Sequence, residues 1–499
     1  MLEAFVSGFW QVVAWPAIGY LLIGIAIGFF VGLLPGLGGL ATLALMLPFS
    51  YTIKEPVEAF CFLLGMLAVT GTTGDITSIL FGIPGEGSSA ALVLDGYPMS
   101  KKGEAGRALG AAIMSSVVGA IAGALALVLS IPIMRPLVLL FGSPELFIIA
   151  IMGVTFIGTL AGPSLTKGLL AGGVGLMLAA IGVDPQTGAL RYTFGSLYLW
   201  DRLDIIPVVV GLFAIPEIVD LAVRGTSIVE VKPTKLTGVM EGVKDTFRHF
   251  WLVMRCSLIG IYFGILPVLG ANVAQWIAYG HAVQGLKGKN RAGTGAVEGV
   301  LGPGAANNAT RGGDLIPTVA FGIPGSGSMA LLLGVLLIVG LNPGPEMLTS
   351  HLDVTFAMVW VLIIANLIVA GACFLVLNQL AALTFIRGSL LIPFLLLFVF
   401  IGSFTANNSL NDLIVTLVFG LVGYFMVLYG WPRPPLILGL ILGKIAENYL
   451  WISTAAYGGR WLLFPSVVML IVITIFIVAY PTIKERRGRA RYERPADAR

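Results

Sequence analysis

The chain has 499 residues, of which 57% are hydrophobic and only 11% are charged. A soluble domain carries roughly 25% charged residues and could not bury that much apolar surface, so the composition excludes a soluble globular protein. The net charge of +4 comes from basic residues grouped in particular loops, which is typical of membrane orientation and not of nucleic-acid binding. At about 20 apolar residues per crossing, the sequence predicts an all-α polytopic membrane protein of roughly 12 transmembrane helices.

The first apolar stretch has no basic segment before it and continues as a full span, so no cleavable signal peptide is predicted. No lysine or arginine precedes Lys54, which predicts an N-terminus on the outer side of the membrane by the positive-inside rule. The stretch GFFVGLLPGLG then follows at residues 28–38. Its glycines and proline cannot continue a regular helix, because proline removes a backbone donor and glycine permits positive φ. We therefore expect a helix break here.

A second interruption, FGIPGEGSSA at residues 81–90, is preceded by the pair Gly74-Asp75. The apolar segments beside both interruptions are too short to span the bilayer fully. They predict re-entrant or broken helices whose tips meet near the middle of the membrane, since irregular backbone is tolerated there only inside protein or beside a cavity. The loop that follows is rich in lysine and arginine and should be cytoplasmic.

Both interruptions return later in the chain, in the same order. GIYFGILPVLG stands at residues 260–270, and FGIPGSGSMA at residues 321–330 shares eight of ten residues with the first copy. A Gly-Asp pair again precedes the second motif, at Gly313-Asp314. The chain is therefore predicted to contain a duplicated unit.

The basic loops orient the two copies. The loop after the second FGIPG motif has no lysine or arginine, whereas the loop before it carries three, which is the reverse of the first copy. This exchange predicts two inverted-topology repeats. The predicted organisation is a first half at residues 1–223, a cytoplasmic linker at 224–249, a second half at 250–483 and a basic cytoplasmic tail at 484–499.

A helix broken at membrane depth can bind ions. Free N–H groups at a half-helix N-terminus suit a carboxylate, and free carbonyls at a half-helix C-terminus suit a sodium ion. The predicted substrate- and ion-binding residues are Gly36, Gly38, Asp75, Thr77, Ser78, Pro84, Gly85, Ser88, Ser89, Asn307, Asn308, Asp314, Pro324, Gly325, Ser326 and Ser328. Asp75 and Asp314 are the candidates for a Na⁺ or H⁺ site. No other metal, no catalytic residue and no cofactor is predicted.

These residues also have plainer structural interpretations. The loops are consistent with kinks for close helix packing, the two aspartates with N-caps, and the asparagine pair with satisfied turn residues. Arg311 is predicted to pair with Asp314, three residues on, and the alternative is a bidentate contact with a substrate carboxylate. Lys444 is predicted to pair with Glu447 at the same spacing. Glu86, whose counterpart is Ser326, is predicted to face water at the mouth of its loop, and the alternatives are that it senses protons or tunes the choice of solute.

Several motifs together resemble one known family. They are PGLGG at residues 35–39, GDITSILFGIPG at 74–85, LDGYP…KKGEAGRALG at 94–110, the pair Asn307-Asn308, LIPTVAFGIPGSGS at 315–328 and LNPGPEM at 341–347. In this order, over nearly the whole chain, they resemble the large membrane subunit of the bacterial tripartite tricarboxylate transporters.

The resemblance implies import of a small di- or tricarboxylate across the bacterial inner membrane, driven by a Na⁺ or H⁺ gradient. It also implies two protein partners, a small membrane subunit and a periplasmic solute-binding protein. A channel, or a stand-alone carboxylate carrier, built from the same repeats is the alternative. An enzyme is not predicted, because the sequence shows no constellation of nucleophile, base or metal and no phosphate-binding loop.

Overall fold

The structure is a computed structural model, and it describes residues 1–33, 38–82, 84–160, 164–184, 186–224, 236–266, 270–284, 286, 292–383 and 392–476. Gly36, residues 225–235 of the predicted linker and the predicted tail at 484–499 lie outside the described residues.

The described residues are almost entirely helical. In the first part of the chain the helices are α1 (Leu2–Val13), α2 (Ala17–Gly32), α3 (Gly39–Met46), α4 (Pro56–Phe81), α5 (Val93–Lys101), α6 (Ala105–Leu139), α7 (Ser143–Leu160), α8 (Leu165–Ala179), α9 (Ile205–Val209) and α10 (Ile215–Arg224). In the second part they are α11 (Val239–Arg248), α12 (Phe250–Ile265), α13 (Gly270–Gln284), α14 (Glu298–Phe321), α15 (Gly327–Ile338), α16 (Leu352–Leu383), α17 (Ile392–Asn407), α18 (Leu410–Leu428), α19 (Pro434–Tyr457) and α20 (Pro465–Phe476). Two short antiparallel strands, β1 (Gly182–Val183) and β2 (Leu190–Arg191), form a hairpin.

Six of the described helices are long and apolar enough to cross a membrane, and a bent pair, α1 with α2, makes a seventh candidate. The six are Pro56–Phe81, Ala105–Leu139, Ile205–Val223, Leu352–Leu377, Leu410–Leu428 and Pro434–Tyr457. Shorter apolar helices of 10–17 residues, among them α12 and α15, are also present in the described part of the chain. The predicted all-α polytopic membrane protein is confirmed, and the figure of roughly 12 spans stays a prediction. The expectation that the apolar segment before the first FGIPG motif is too short to span is wrong, because α4 has 26 residues and is one of the six candidates.

The chain divides into two compact units. Unit 1 is Met1–Val138 with Asp204–Phe425, and unit 2 is Leu139–Leu203 with Met426–Arg499. Each unit takes segments from both predicted halves. The division into halves at residues 1–223 and 250–483 stays a prediction, because a repeat and a compact unit are different properties of a chain.

Helices α4 and α14 form the core of unit 1. Residues 299–320 of α14 are all buried, and the most apolar window of α4 is wholly enclosed by protein. Helix α2 packs on α4, and α12 packs on α14. Glycines allow these close contacts: a Cβ added at Gly260 of α12 would lie 2.9 Å from Cα of Ala306. Because their neighbours are protein and not lipid, the two core helices can carry polar side chains.

Unit 2 contains α7, α8 and α19, which pack together, and the β1–β2 hairpin. Arg191 of β2 forms an ion pair with Glu447 of α19 at 2.7 Å and lies 3.8 Å from Asp184. Lys444 is exposed. The predicted pair between Lys444 and Glu447 is therefore wrong, because the hairpin brings a cation to Glu447 that helical spacing cannot reveal.

Candidate functional site

Two helices of unit 1 break at the same motif. Helix α4 is followed by Gly82 at φ 69° and ψ 17°, and α14 by Gly322 at φ 67° and ψ 20°. The N–H of each glycine donates to the carbonyl four residues earlier at 3.1 Å. This left-handed conformation is costly for any residue with a Cβ, so the glycine of each motif determines where the helix ends.

After each break the chain enters a new helical segment. Ser326 is the N-cap of α15, at φ −147° and ψ 171°. Glu86 is the N-cap of a 3₁₀ segment, Gly87–Leu92, that continues into α5, and its φ of −141° and ψ of 168° are almost the same. Ser326 caps through its hydroxyl, whereas Glu86 shares a reciprocal capping box with Ser89. The two loops thus have closely similar backbones but differ in the charge of the capping residue.

Both loops contribute to one cavity of about 210 Å³. Its lining residues come from four places where a helical segment begins and from one position of α14. They are Gly38, Gly39 and Leu40 at α3, Glu86, Gly87 and Ser88 at the first loop, Gly270, Ala271 and Asn272 at α13, Ser326, Gly327 and Ser328 at α15, and Arg311. The first N–H groups of a helix have no partner within it and carry a positive partial charge. The convergence of α3, α13 and α15 therefore favours an anion in this cavity.

A buried arginine adds a full positive charge. Arg311 is 6% exposed, and its Nη2 lies 3.5 Å from Oε1 of Glu86. Its Nε has no hydrogen-bond partner among the described residues. The predicted close ion pair with Asp314 is wrong, because Arg311 turns towards the cavity and to the carboxylate of the other loop. Arg311 still interacts electrostatically with Asp314.

Glu86 is not the water-facing residue that the sequence predicted. Its side chain is only 11% exposed. Oε2 accepts a hydrogen bond from the backbone N–H of Gly39 at 3.1 Å, and Oε1 accepts one from the hydroxyl of Ser88. A carboxylate of the protein thus lies among the groups that would bind an anion.

Comparison with known proteins decides the family. The sequence matches the Tripartite tricarboxylate transporter TctA family over residues 18–438. The chain belongs to this family. It is 30% identical over 473 residues to the "Uncharacterized 52.8 kDa protein in TAR-I ttuC' 3'region" of Agrobacterium vitis, with 94% of each chain covered. It is also 33% identical over 193 residues to the "Uncharacterized protein in TAR-II ttuC' 3'region" of the same organism, which covers 38% of this chain and 79% of that protein. No solved structure matches.

The family membership confirms the resemblance predicted from the motifs. This TctA-family protein is a multi-pass membrane transporter subunit of the tricarboxylate type and not an enzyme. Its site can therefore be considered in terms of solute and ion binding.

Four of the predicted binding residues line the cavity of this TctA-family subunit: Gly38, Ser88, Ser326 and Ser328. The others from the loops lie behind it or beside it. The hydroxyl of Ser89 is used in the Glu86 cap, for example. The loop residues that do not line the cavity are Pro84, Gly85, Ser89, Pro324 and Gly325.

Thr77 and Ser78 lie inside α4, away from the cavity. Both hydroxyls donate to the carbonyl oxygen of Gly74, at 2.9 Å and 3.1 Å. Their hydrogen-bonding capacity is therefore partly used within their own helix. A Cβ added at Gly85 would lie 2.8 Å from Oγ1 of Thr77, so this part of α4 supports the first loop from behind.

Asp75 and Asp314 are buried in the middle of α4 and α14, at 1% and 0% exposure. The N-cap interpretation is wrong for both, because neither begins a helix. No carboxylate oxygen of either has a hydrogen-bond partner among the described residues. Asp75 is close enough to Glu86 to interact electrostatically, and Asp314 lies near Ser326 without reaching hydrogen-bonding geometry. Each aspartate thus lies behind the capping residue of its own loop.

The asparagine pair also lies within α14 and not in a turn. Nδ2 of Asn308 donates to Oγ1 of Thr72 at 2.8 Å and to Oδ1 of Asn366 at 2.6 Å, whereas its Oδ1 is unpartnered among the described residues. Asn307 lies next to Asp75, and neither of its amide atoms has a partner there. The two asparagines and Asp75 therefore offer several unsatisfied oxygens in one buried region.

The sequence did not identify the cavity residues Gly39, Gly270 and Asn272 as binding residues, and it favoured other roles for Arg311 and Glu86. The repeat itself contained a signal for Gly270, which is the last residue of GIYFGILPVLG as Gly38 is of GFFVGLLPGLG. An arginine at membrane depth was a second signal. No local pattern distinguished Asn272.

Proposed function

We propose that this chain is the solute-translocating subunit of a binding-protein-dependent secondary transporter that imports small di- or tricarboxylates with Na⁺ or H⁺. The convergence of both Gly-Pro loops on one cavity with Arg311 carries this proposal. Helix N-termini and a guanidinium are the groups that bind carboxylates best, the first through backbone N–H groups and the second through a planar fork.

The proposed architecture is a pair of inverted-topology repeats. Its support is the near-identical backbone at Gly82 and Gly322, and the packing of α2 on α4 and of α12 on α14. The exchange of basic loops supports opposite orientations in the bacterial inner membrane, with the N-terminus periplasmic and the C-terminus cytoplasmic. Rocking or sliding of the repeat core would open the cavity to either side of the membrane in turn.

We infer that Asp75 and Asp314 bind the coupling cation. An ionised carboxylate without a partner is costly inside a protein. Such a group in the core of a transporter is therefore a candidate to bind an ion or a proton. Coupling requires that cation and solute each bind better when the other is bound. The position of each aspartate behind a loop cap places it next to the cavity without lining it.

The word tripartite in the family's description supports two protein partners, a small membrane subunit and a periplasmic solute-binding protein that delivers the carboxylate. The lipid bilayer is the third partner. Nucleic acid has no part in this function.

Uptake measurements test the proposal. Citrate, succinate and malate uptake would be followed in cells with the gene deleted or restored, in Na⁺ or choline medium, with ionophores that collapse either gradient. We expect uptake to require the gene, to stop when one gradient collapses, and to be lost when spheroplasting releases periplasmic proteins. Uptake that ignores both ionophores would indicate a channel, and uptake that survives in spheroplasts a stand-alone carrier.

The serines that line the cavity should affect solute binding. We expect Ser88→Ala and Ser328→Ala each to raise the KM for citrate about tenfold, since a hydrogen bond to a charged group contributes about 1.5 kcal/mol or more. Expression should stay near that of the parent. Ser115→Ala is the matched control, because this serine is buried outside the cavity and its hydroxyl donates to the carbonyl of Ala112 in its own helix. Parental KM values in both cavity variants would show that these hydroxyls serve packing alone.

A further inference from the structure

We propose that Glu86 is an internal carboxylate that occupies the solute's anion position while the cavity is empty, and that a solute carboxylate must displace it. This inference rests on the proposed function, because it assumes that the cavity binds a carboxylate. It deepens that function by assigning the residue that sets the apparent affinity.

The contacts of Glu86 are those that a carboxylate solute would make. One oxygen accepts the N–H of Gly39 at the start of α3. The other accepts the hydroxyl of Ser88 and faces the guanidinium of Arg311. A helix N-terminus, a hydroxyl and an arginine together define an anion site. In this structure the protein fills that site with its own side chain.

The charge of Glu86 is not needed to cap its helical segment. Ser326 has the same backbone conformation at the matching place in the other loop, and its hydroxyl caps α15 by accepting the N–H of Met329 at 3.4 Å. A neutral side chain is therefore enough for that task. What Glu86 adds is a negative charge beside Arg311.

The ion pair is loose enough to be exchanged. The 3.5 Å between Nη2 of Arg311 and Oε1 of Glu86 exceeds the roughly 2.7–2.9 Å of a charge-assisted hydrogen bond. Nε of Arg311 has no partner among the described residues. A solute carboxylate that engages Nε and an Nη group in a bidentate fork would make stronger contacts than Glu86 makes.

The exchange also solves a problem of the empty carrier. A buried guanidinium without a counter-charge is unfavourable, and an unloaded transporter has to reorient without its solute. In the empty cavity Glu86 supplies a counter-charge to Arg311, and in the loaded cavity a solute carboxylate supplies it. Glu86 and the solute thus compete for one position.

The test titrates citrate into the purified parent subunit and into its Glu86→Gln variant. The two readouts are equilibrium binding and the temperature of thermal unfolding. We expect the apparent Kd for citrate to fall about tenfold or more, because removal of an internal competitor raises the fraction of binding-competent protein. Without citrate the apparent Tm should fall, since Arg311 loses its counter-charge. Citrate should then raise the Tm of the variant more than that of the parent.

Glu145→Gln is the matched control. Glu145 is also a buried carboxylate, 6% exposed, that accepts a backbone N–H, that of Gly142 at 2.9 Å, and the hydroxyl of Ser466. Among the described residues it has no basic partner within ion-pair distance. We expect this variant to lose some stability while its Kd for citrate stays parental. Glu86→Ser, which copies the second loop, serves if Glu86→Gln does not fold.

The outcomes separate this inference from the function on which it rests. Tighter citrate binding by the Glu86 variant supports the competition. Equal or weaker binding by the variant, with clear binding by the parent, overturns the competition and leaves the carboxylate site intact. Binding of citrate, succinate and malate by neither protein overturns the proposed function and the inference together.

Discussion

Arg311→Ala is expected to reduce citrate uptake by a factor of roughly 30 to several thousand, because truncation of one member of a buried charge pair costs about 2–5 kcal/mol. Two effects act in the same direction. The solute loses the guanidinium, and Glu86 is left as a buried carboxylate whose ionic partner is gone. Citrate should no longer raise the apparent Tm of the purified variant. Arg311→Lys keeps the charge but loses the planar fork, and we expect an intermediate loss.

A double variant separates the two effects. If Arg311 only neutralises Glu86, then Arg311→Gln combined with Glu86→Gln should transport citrate like the parent. If Arg311 binds the solute, the double variant should regain stability but not uptake. Arg255→Gln is the control, because Arg255 is an exposed arginine of α12 outside the cavity. Its substitution should leave citrate uptake unchanged. Parental uptake by Arg311→Ala would remove the cation from the proposed site.

The sequence predicted the local geometry of the loops well, because that geometry is encoded locally. A glycine that follows the last turn of a helix adopts the left-handed conformation in either copy of the motif, so two copies of FGIPG give two matching breaks at Gly82 and Gly322. The same reasoning identified Gly38, Ser88, Ser326 and Ser328, which all line the cavity. Apolar length and low charge were enough for the fold class.

Contacts between distant segments were not predictable in this way. The spacing of Arg311 and Asp314 suggests a pair on one helix, but spacing does not show that Glu86, 225 positions earlier, is brought closer. Glu447 pairs with Arg191 for the same reason. The N-cap interpretation of Asp75 failed because α4 continues through Asp75 to Phe81, so no helical segment begins at this residue. Local patterns give backbone conformation, and tertiary packing selects the partners.

Asp75→Asn and Asp314→Asn are expected to abolish the response to the coupling cation and, unusually for core substitutions, to stabilise the ion-free protein. Both carboxylates are buried and have no hydrogen-bond partner among the described residues, so neutralising them removes a burial cost and breaks no hydrogen bond of the described structure. In the parent, Na⁺ at about 100 times its Kd would add about 2.7 kcal/mol of stability. Each variant should start from a higher apparent Tm and gain nothing when Na⁺ replaces choline. If the coupling ion is H⁺, the variants should instead lose the parent's response to pH.

Asp95 provides the comparison for these variants, because its neutralisation should change the Tm in the opposite direction. Asp95 is equally buried but accepts hydrogen bonds from the N–H groups of Gly295 and Ala296, at 2.7 Å and 3.0 Å, and from the hydroxyl of Tyr279 at 3.0 Å. Asp95→Asn would place an amide among these donors and should lower stability by about 1–3 kcal/mol while the cation response persists. Neutralising a carboxylate that binds the coupling ion should thus raise the Tm of the ion-free protein, whereas neutralising a carboxylate that is hydrogen-bonded within the protein should lower it. If the Asp75 and Asp314 variants lose stability as the Asp95 variant does and still respond to Na⁺ or H⁺, the two carboxylates are structural and the cation binds elsewhere.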